Sequence, residues 1–159
     1  MVAIFERAAA CLAISSPEEK CCRVTDLWMA IESDDFEFDP HTPVVPIGVA
    51  GHPARPDLVE PSKVRRRRLG SEAGRAALVH AIAHIEFNAI NLALDAAYRF
   101  RDMPRQYYLD WLSVAADEAR HYQLLSTRLK SLGFSYGDFP AHNGLWEMAQ
   151  RTADDCMKR

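Results

Sequence analysis

The sequence predicts an all-α fold, a bundle of long amphipathic helices, and three observations predict it. Two stretches of nearly thirty residues carry apolar residues at helical spacing. A short proline-bearing turn separates them. Proline and clustered turn residues fall between such stretches and not within them. Long helices joined by a short turn are antiparallel neighbours, as in a four-helix bundle. At 159 residues, 48% hydrophobic and 26% charged, the chain suffices for one folded core of ordinary globular composition.

Residues 2 to 14 read as a short amphipathic helix with no basic segment ahead of its apolar residues, so a signal peptide is not expected. Ser16 is placed to cap a second helix, with Pro17 at its first position and Glu19 completing a capping box. That helix is expected to end near Ala30 or Glu32, making 1–32 an N-terminal helical hairpin. Residues 33–70 hold six of the nine prolines, a density that blocks helix and central strand. They read as a proline-rich extended arm laid over the bundle, ending in the tract Lys63-Val64-Arg65-Arg66-Arg67-Arg68. A solvated arm, or pairing with the acidic stretch Glu32 to Asp39, is the expected use of that tract.

The remaining segment, 71–159, holds the bundle helices. The first starts near Ser71 as N-cap and runs to about Phe100. That is roughly 43 Å at 1.5 Å per residue. Asp102 or Met103 is expected to cap the second, with Pro104 at its first position, and Gly133 suits the position just past its end near Leu132. Phe134 to His142 forms a loop. A third helix opens near Asn143 and keeps its pattern to Arg159, which suggests a chain cut short of a complete bundle. The apolar stripes of such a partial bundle, about three of the core helices, are expected to self-associate.

The chemistry concentrates on two helix faces. Residues three and four apart share a face, so Glu86 stands among Val79, Ile82, Ala83, Ala89, Ile90, Ala93 and Ala97 and should be buried. In the next helix Glu118 lies in a stripe of Trp111, Val114, Ala115, Tyr122 and Leu125, with His121 one turn on. Glu118-Ala119-Arg120-His121 is an E-x-x-H motif, whose spacing points a carboxylate and an imidazole the same way. Each glutamate lies about 15 residues into its helix, so antiparallel packing should bring them level. A buried unpaired carboxylate is costly; two at one height call for a cation. Carboxylate oxygen with imidazole suits iron or manganese. Glu86, Glu118 and His121 are therefore the candidate metal ligands, and ion pairs or hydrogen bonds alone are the structural alternative.

Other residues carry less. His80 and His84 are expected to pack or hydrogen-bond against the proline-rich arm. Asp95 and Asp117 are read as off-core partners of arginines such as Arg99 and Arg120. Glu147 falls off the apolar stripe of the third helix. Cys11, Cys21, Cys22 and Cys156 show no metal or C-x-x-C spacing and read as reduced thiols. No apolar run reaches a membrane span, so a cytoplasmic protein without membrane partners is expected, and the net charge of −3 gives no basic character that would point to nucleic acid.

The stretch Gly74 to Glu86, the run Leu94 to Phe100, Glu118 to Tyr122, and the loop Tyr136 to His142 followed by Gly144 to Glu147 together resemble a bacterial ferritin-like family catalogued as domain of unknown function 455. The resemblance implies a ferritin-like helical bundle with a dinuclear iron-type centre, manganese being the alternative. It assigns no reaction. Members are longer and supply a further acid-plus-histidine helix that has no counterpart here. A non-haem di-iron oxidoreductase or oxygenase is the expected full-length activity, its substrate a small molecule or an RNA. Iron handling and a metal-free scaffold are the alternatives, and the fragment alone is expected to be inactive.

Overall fold

The computed structural model describes residues 1–39, 41–65 and 68–159. It is predominantly helical: α1 (Ile4–Ala13), α2 (Pro17–Glu32), α3 (Glu72–Arg99), α4 (Arg105–Ser131) and α5 (Gly144–Arg151), with two short strands, β1 (Val2–Ala3) and β2 (Phe36–Glu37).

Local chemistry sets the helix limits. Ser16 Oγ accepts from Glu19 N at 3.3 Å with Pro17 following, and Ser71 Oγ accepts from Gly74 N at 3.0 Å. Both serines occupy one of the donors that a helix start leaves unpaired. Helix α4 ends in a Schellman turn. Gly133 takes φ +78°, its N–H donates to Lys130 O, and Phe134 N donates to Leu129 O. The start of α4 differs from expectation, because Pro104 is itself the cap and the helix begins at Arg105. Asp102, at φ +60°, makes the turn instead of capping.

Helices α3 and α4 form the central hairpin. The hairpin of α1 and α2 lies along it, α1 on α3 and α2 on α4, while α5 packs on α3. A single apolar cluster unites them, including Phe5, Leu12, Leu27, Phe87, Ile90, Leu94, Tyr108 and Leu129. The N-terminus is pinned by a parallel pairing of β1 with β2, Val2 opposite Phe36, which proline density in the arm had hidden. The arm otherwise runs extended over the helices. Val45 N donates to Tyr98 Oη, Trp146 Nε1 to Gly48 O, and Val59 N to Ala141 O. Of the arginine tract, Arg66 and Arg67 lie outside the described residues.

Two expectations are corrected. The third bundle helix stops at Arg151, and residues beyond it turn back. Arg159 donates to the carbonyl of Ala149 at 2.8 Å, an acceptor that a longer helix would have used, and to Thr152 Oγ1 at 2.9 Å. Helix α3, moreover, is long and apolar enough to cross a membrane by length and composition. Here it is the central helix, and its buried face carries His80, His84, Asn88, Asn91 and Asp95.

That face is the second point of difference from the periodicity. The stripe expected to be buried around Glu86 lies about one residue, or 100°, off the true core. Phe87 and Leu94, outside that stripe, are buried beside the polar set; Ala83, Ile90, Ala93 and Ala97 within it are buried too, whereas Ile82 is 37% exposed. Glu86 sits on the border between the covered and uncovered sides.

Candidate metal centre

Glu86 projects from the middle of α3, and Glu118 and His121 from the middle of α4. The hairpin sets them level, as the matched depths predict. His121 Nδ1 stands 3.0 Å from Glu118 Oε2 and 3.7 Å from Glu86 Oε2. One donor atom from each residue falls within 4.8 Å of the other two. All three sequence-predicted residues are thus brought together. They are half-buried and not enclosed: the side chains of Glu86 and Glu118 are 20% and 23% exposed and that of His121 is 41% exposed.

The electrostatics of the trio follow from this proximity. Burial pushes the Glu86 carboxyl up to about 7, helped by its hydrogen bond to Glu118 and by that neighbour's charge. Glu118 is also pushed up by burial, but hydrogen bonds from Glu86 and His121, with the imidazole charge, outweigh it and hold Glu118 low. The two carboxyl groups thus share a proton, as two close like charges must. Arg120 Nη2, a donor only, meets His121 Nε2 at 3.3 Å. When the ring is neutral that nitrogen accepts, and the single imidazole proton sits on Nδ1, facing the carboxylate oxygens. A proton here does the work that a cation of higher charge does better. Hard oxygen donors with one imidazole suit iron or manganese, so the donor set fits such a metal.

The remaining candidates resolve into structural roles. His80 Nε2 accepts from Gly137 N at 3.0 Å, and His84 meets Tyr136 Oη at 2.8 Å and His142 O at 2.9 Å. Their partners come from the 134–142 loop, not from the proline-rich arm as expected. Burial, and secondarily His84, pushes His80 down to about 4, and burial lowers His84 as well. Both are neutral, satisfied core histidines. Glu147 is exposed and faces Arg151 at 3.8 Å. Asp117 pairs loosely with Arg120 at 3.8 Å on the surface.

Asp95 is corrected from off-core to wholly buried. It pairs with Arg99 at 2.7 Å and Arg159 at 2.6 Å. The four cysteines are free thiols, Cys11 and Cys21 buried. What was missed is the exposure of the apolar residues one turn from the site: Ile82 on α3, and Val114 and Leu124 on α4, are exposed. Their spacing of three and four from the ligands was legible as a stripe, but not as an uncovered one.

The fold and the site define a helical protein with a carboxylate–histidine cluster at the centre of a long antiparallel hairpin. The chain belongs to the family described as "Protein of unknown function (DUF455)", whose match spans residues 13–159. An uncharacterized protein of Haemophilus influenzae is 43% identical over 170 residues, covering 98% of this chain and 57% of that protein. The chain thus spans just over half the length of that relative. No solved structure matches it.

Proposed function

We propose that this chain is a ferritin-like metal-binding protein in which Glu86, Glu118 and His121 hold iron or manganese in a centre of the di-iron carboxylate type. The observation that carries the reading is the convergence of these three donors at mid-height of the α3–α4 hairpin, with donor atoms within 4.8 Å of one another. The shared proton of the glutamate pair adds to it, because a divalent ion relieves the repulsion that keeps one carboxyl protonated. In such bundles the E-x-x-H unit of one helix works with a glutamate from another.

Bound iron would supply redox chemistry toward dioxygen, and the activity proposed for a full-length protein is that of a non-haem oxidoreductase or oxygenase in the cytoplasm. This chain's own residues hold and neutralise the metal. The carboxylates would supply charge, and His121 would supply a neutral Nδ1 once its ring proton had moved to Nε2, with Arg120 turned away from that nitrogen.

Anaerobic titration with Fe(II) or Mn(II), followed by desalting and metal analysis, tests the reading. The unmodified chain should retain metal, and Glu118→Ala/His121→Ala should weaken retention by more than about 100-fold. No retained metal would leave a hydrogen-bonded scaffold. Oxygen consumption driven by Fe(II) alone would move the activity to iron handling.

A further inference from the structure

We propose that the pocket between α3, the arm, the 134–142 loop and the start of α5 binds a small uncharged molecule, a single ring bearing a hydroxyl, which donates to the side-chain oxygen of Asn88. The inference stands apart from the metal reading. Asn88 follows Glu86 by two residues, about 200° around α3 at roughly 100° per residue. The pocket therefore faces away from the carboxylates, and what it holds is no substrate of that centre.

The walls come from four segments. Val64 of the arm, Ala81 and Ile85 of α3, Pro140 and Ala141 of the loop and Leu145 of α5 surround a volume of about 120 Å³. Hydrogen bonds set these walls in advance. Val59 N donates to Ala141 O at 2.8 Å and Ala141 N to Asp57 O at 3.1 Å, tying the loop to the arm. His84 ties the loop to α3: its Nδ1 accepts from Tyr136 Oη at 2.8 Å, and its Nε2 donates to His142 O at 2.9 Å. A pocket already formed avoids much of the ordering cost of binding.

One polar atom there is left over. Asn88 is only 6% exposed and borders the pocket. Its Nδ2 donates to His84 O at 3.0 Å and lies 3.2 Å from His84 Nε2. Only the amide nitrogen can donate to that carbonyl, which fixes the orientation of the group. The oxygen is the opposite end, and among the described residues no group donates to it. Both nitrogens of His84 are already committed. A buried acceptor left unpaired costs free energy, and a donor brought by a ligand recovers it.

Size and charge define that ligand. No Asp, Glu, Lys or Arg lines the pocket, so a charged molecule would shed its hydration without gaining a counter-ion. An apolar cavity of about 150 Å³ takes benzene, so this slightly smaller pocket takes one ring. His142 also borders it. Its Nδ1 accepts from Gly144 N at 3.1 Å, so in the neutral ring Nε2 carries the proton and is a donor. A hydroxyl, donor and acceptor at once, matches Asn88 and His142 together. Past His84 and Asn88 lies a further space of about 10 Å³. It has room for one water, the rival partner for the Asn88 oxygen.

Phenol, benzene and benzoate titrated into the whole chain give the test, followed by the Nδ2 proton signals of Asn88 in proton–nitrogen correlation spectra. Phenol in the millimolar range should shift those signals and the backbone signals of Ala81 and Leu145. Benzene brings no donor and should bind at least about tenfold more weakly; benzoate should not bind. Ala81→Leu, at an exposed position of α3, fills the pocket. It should keep the helical circular dichroism and remove the phenol shifts, while the comparison of phenol with benzene needs no variant. Equal affinity for phenol and benzene overturns the role of Asn88 and leaves water as its partner. Phenol shifts that survive Ala81→Leu place the molecule elsewhere and overturn the pocket. So does the absence of any shift at Asn88. None of these outcomes touches the metal reading, which stands or fails on its own titration.

Discussion

Asp95 is a carboxylate with no access to solvent, held in the core by two guanidinium groups. Arg99 donates through Nε and Nη2 at 3.1 and 2.7 Å to Oδ1, and Arg159 through Nη1 at 2.6 Å to Oδ2. Arg159 is itself wholly buried. Removing the acid leaves that cation uncompensated, which costs more than the pair contributes. Asp95→Ala should therefore destabilise by about 3–5 kcal/mol, read as a lower urea midpoint at unchanged slope. A loss under 1 kcal/mol would show that Arg159 finds water or another acceptor. The pairing with Arg99 was legible, because i and i+4 on a helix are neighbours. The burial was not. It depends on Arg159, sixty-four residues further along, and on which side of α3 the other elements cover. The same blindness moved Glu86 from the core to its edge: periodicity gives a face's composition, and here the polar-looking face is the buried one, because Tyr136, Gly137 and His142 supply hydrogen-bond partners for its histidines.

Lys20 ties three elements together. From α2 its Nζ donates to Leu12 O at the end of α1, to Gly51 O of the arm at 2.9 Å, and to Asn91 Oδ1 of α3. Burial pushes its ammonium down to about 7 from 10.5. Between those values the unfolded chain binds more protons than the folded one, so this group makes stability rise with pH. Above about 9 the buried thiols of Cys11 and Cys21, raised to about 11 and about 12, act the other way. Urea unfolding at pH 7, 8 and 9 should show stability increasing by about 1 kcal/mol per pH unit, and Lys20→Met should flatten the trend. An equal slope in the variant would assign it to another group. Gly51 is part of the same junction, since a Cβ there would meet Ala13 O and Ile14 O at 2.4 Å. Gly51→Ala should cost about 1–3 kcal/mol through forced backbone shifts, measured by thermal unfolding, at every pH alike. At this scale the sequence was most readable. Ser16, Ser71 and Gly133 mark real helix limits through local hydrogen bonds, whereas β2 and the early stop of α5 depend on distant partners, Val2 and Arg159.

Burial across the whole molecule is lopsided. The α1–α2 hairpin, α5, the arm and the 134–142 loop cover the α3–α4 hairpin on other sides, and the face with Glu86, Glu118 and His121 keeps its apolar rim exposed. Composition and periodicity indicated which helices would be neighbours. They could not indicate which side would stay open, because both sides of α3 are apolar enough to be a core. The stability of such a molecule should respond to an ion at the open face. An ion that binds only the folded state stabilises it by about 2.7 kcal/mol when present at a hundred times its dissociation constant. For a chain of this size that is a rise in melting temperature of roughly 5–10 °C. Manganese at that excess should produce the rise in the unmodified chain and leave Glu118→Ala/His121→Ala where it melts in chelator. The carboxylates are what connect ion to fold: removing them also removes a repulsion, so the variant without metal should melt at or slightly above the metal-free parent. A variant that melts far below the parent would mean that these residues hold the hairpin together through their own hydrogen bonds. A variant that gains as much from manganese as the parent would place the ion elsewhere on this acidic surface.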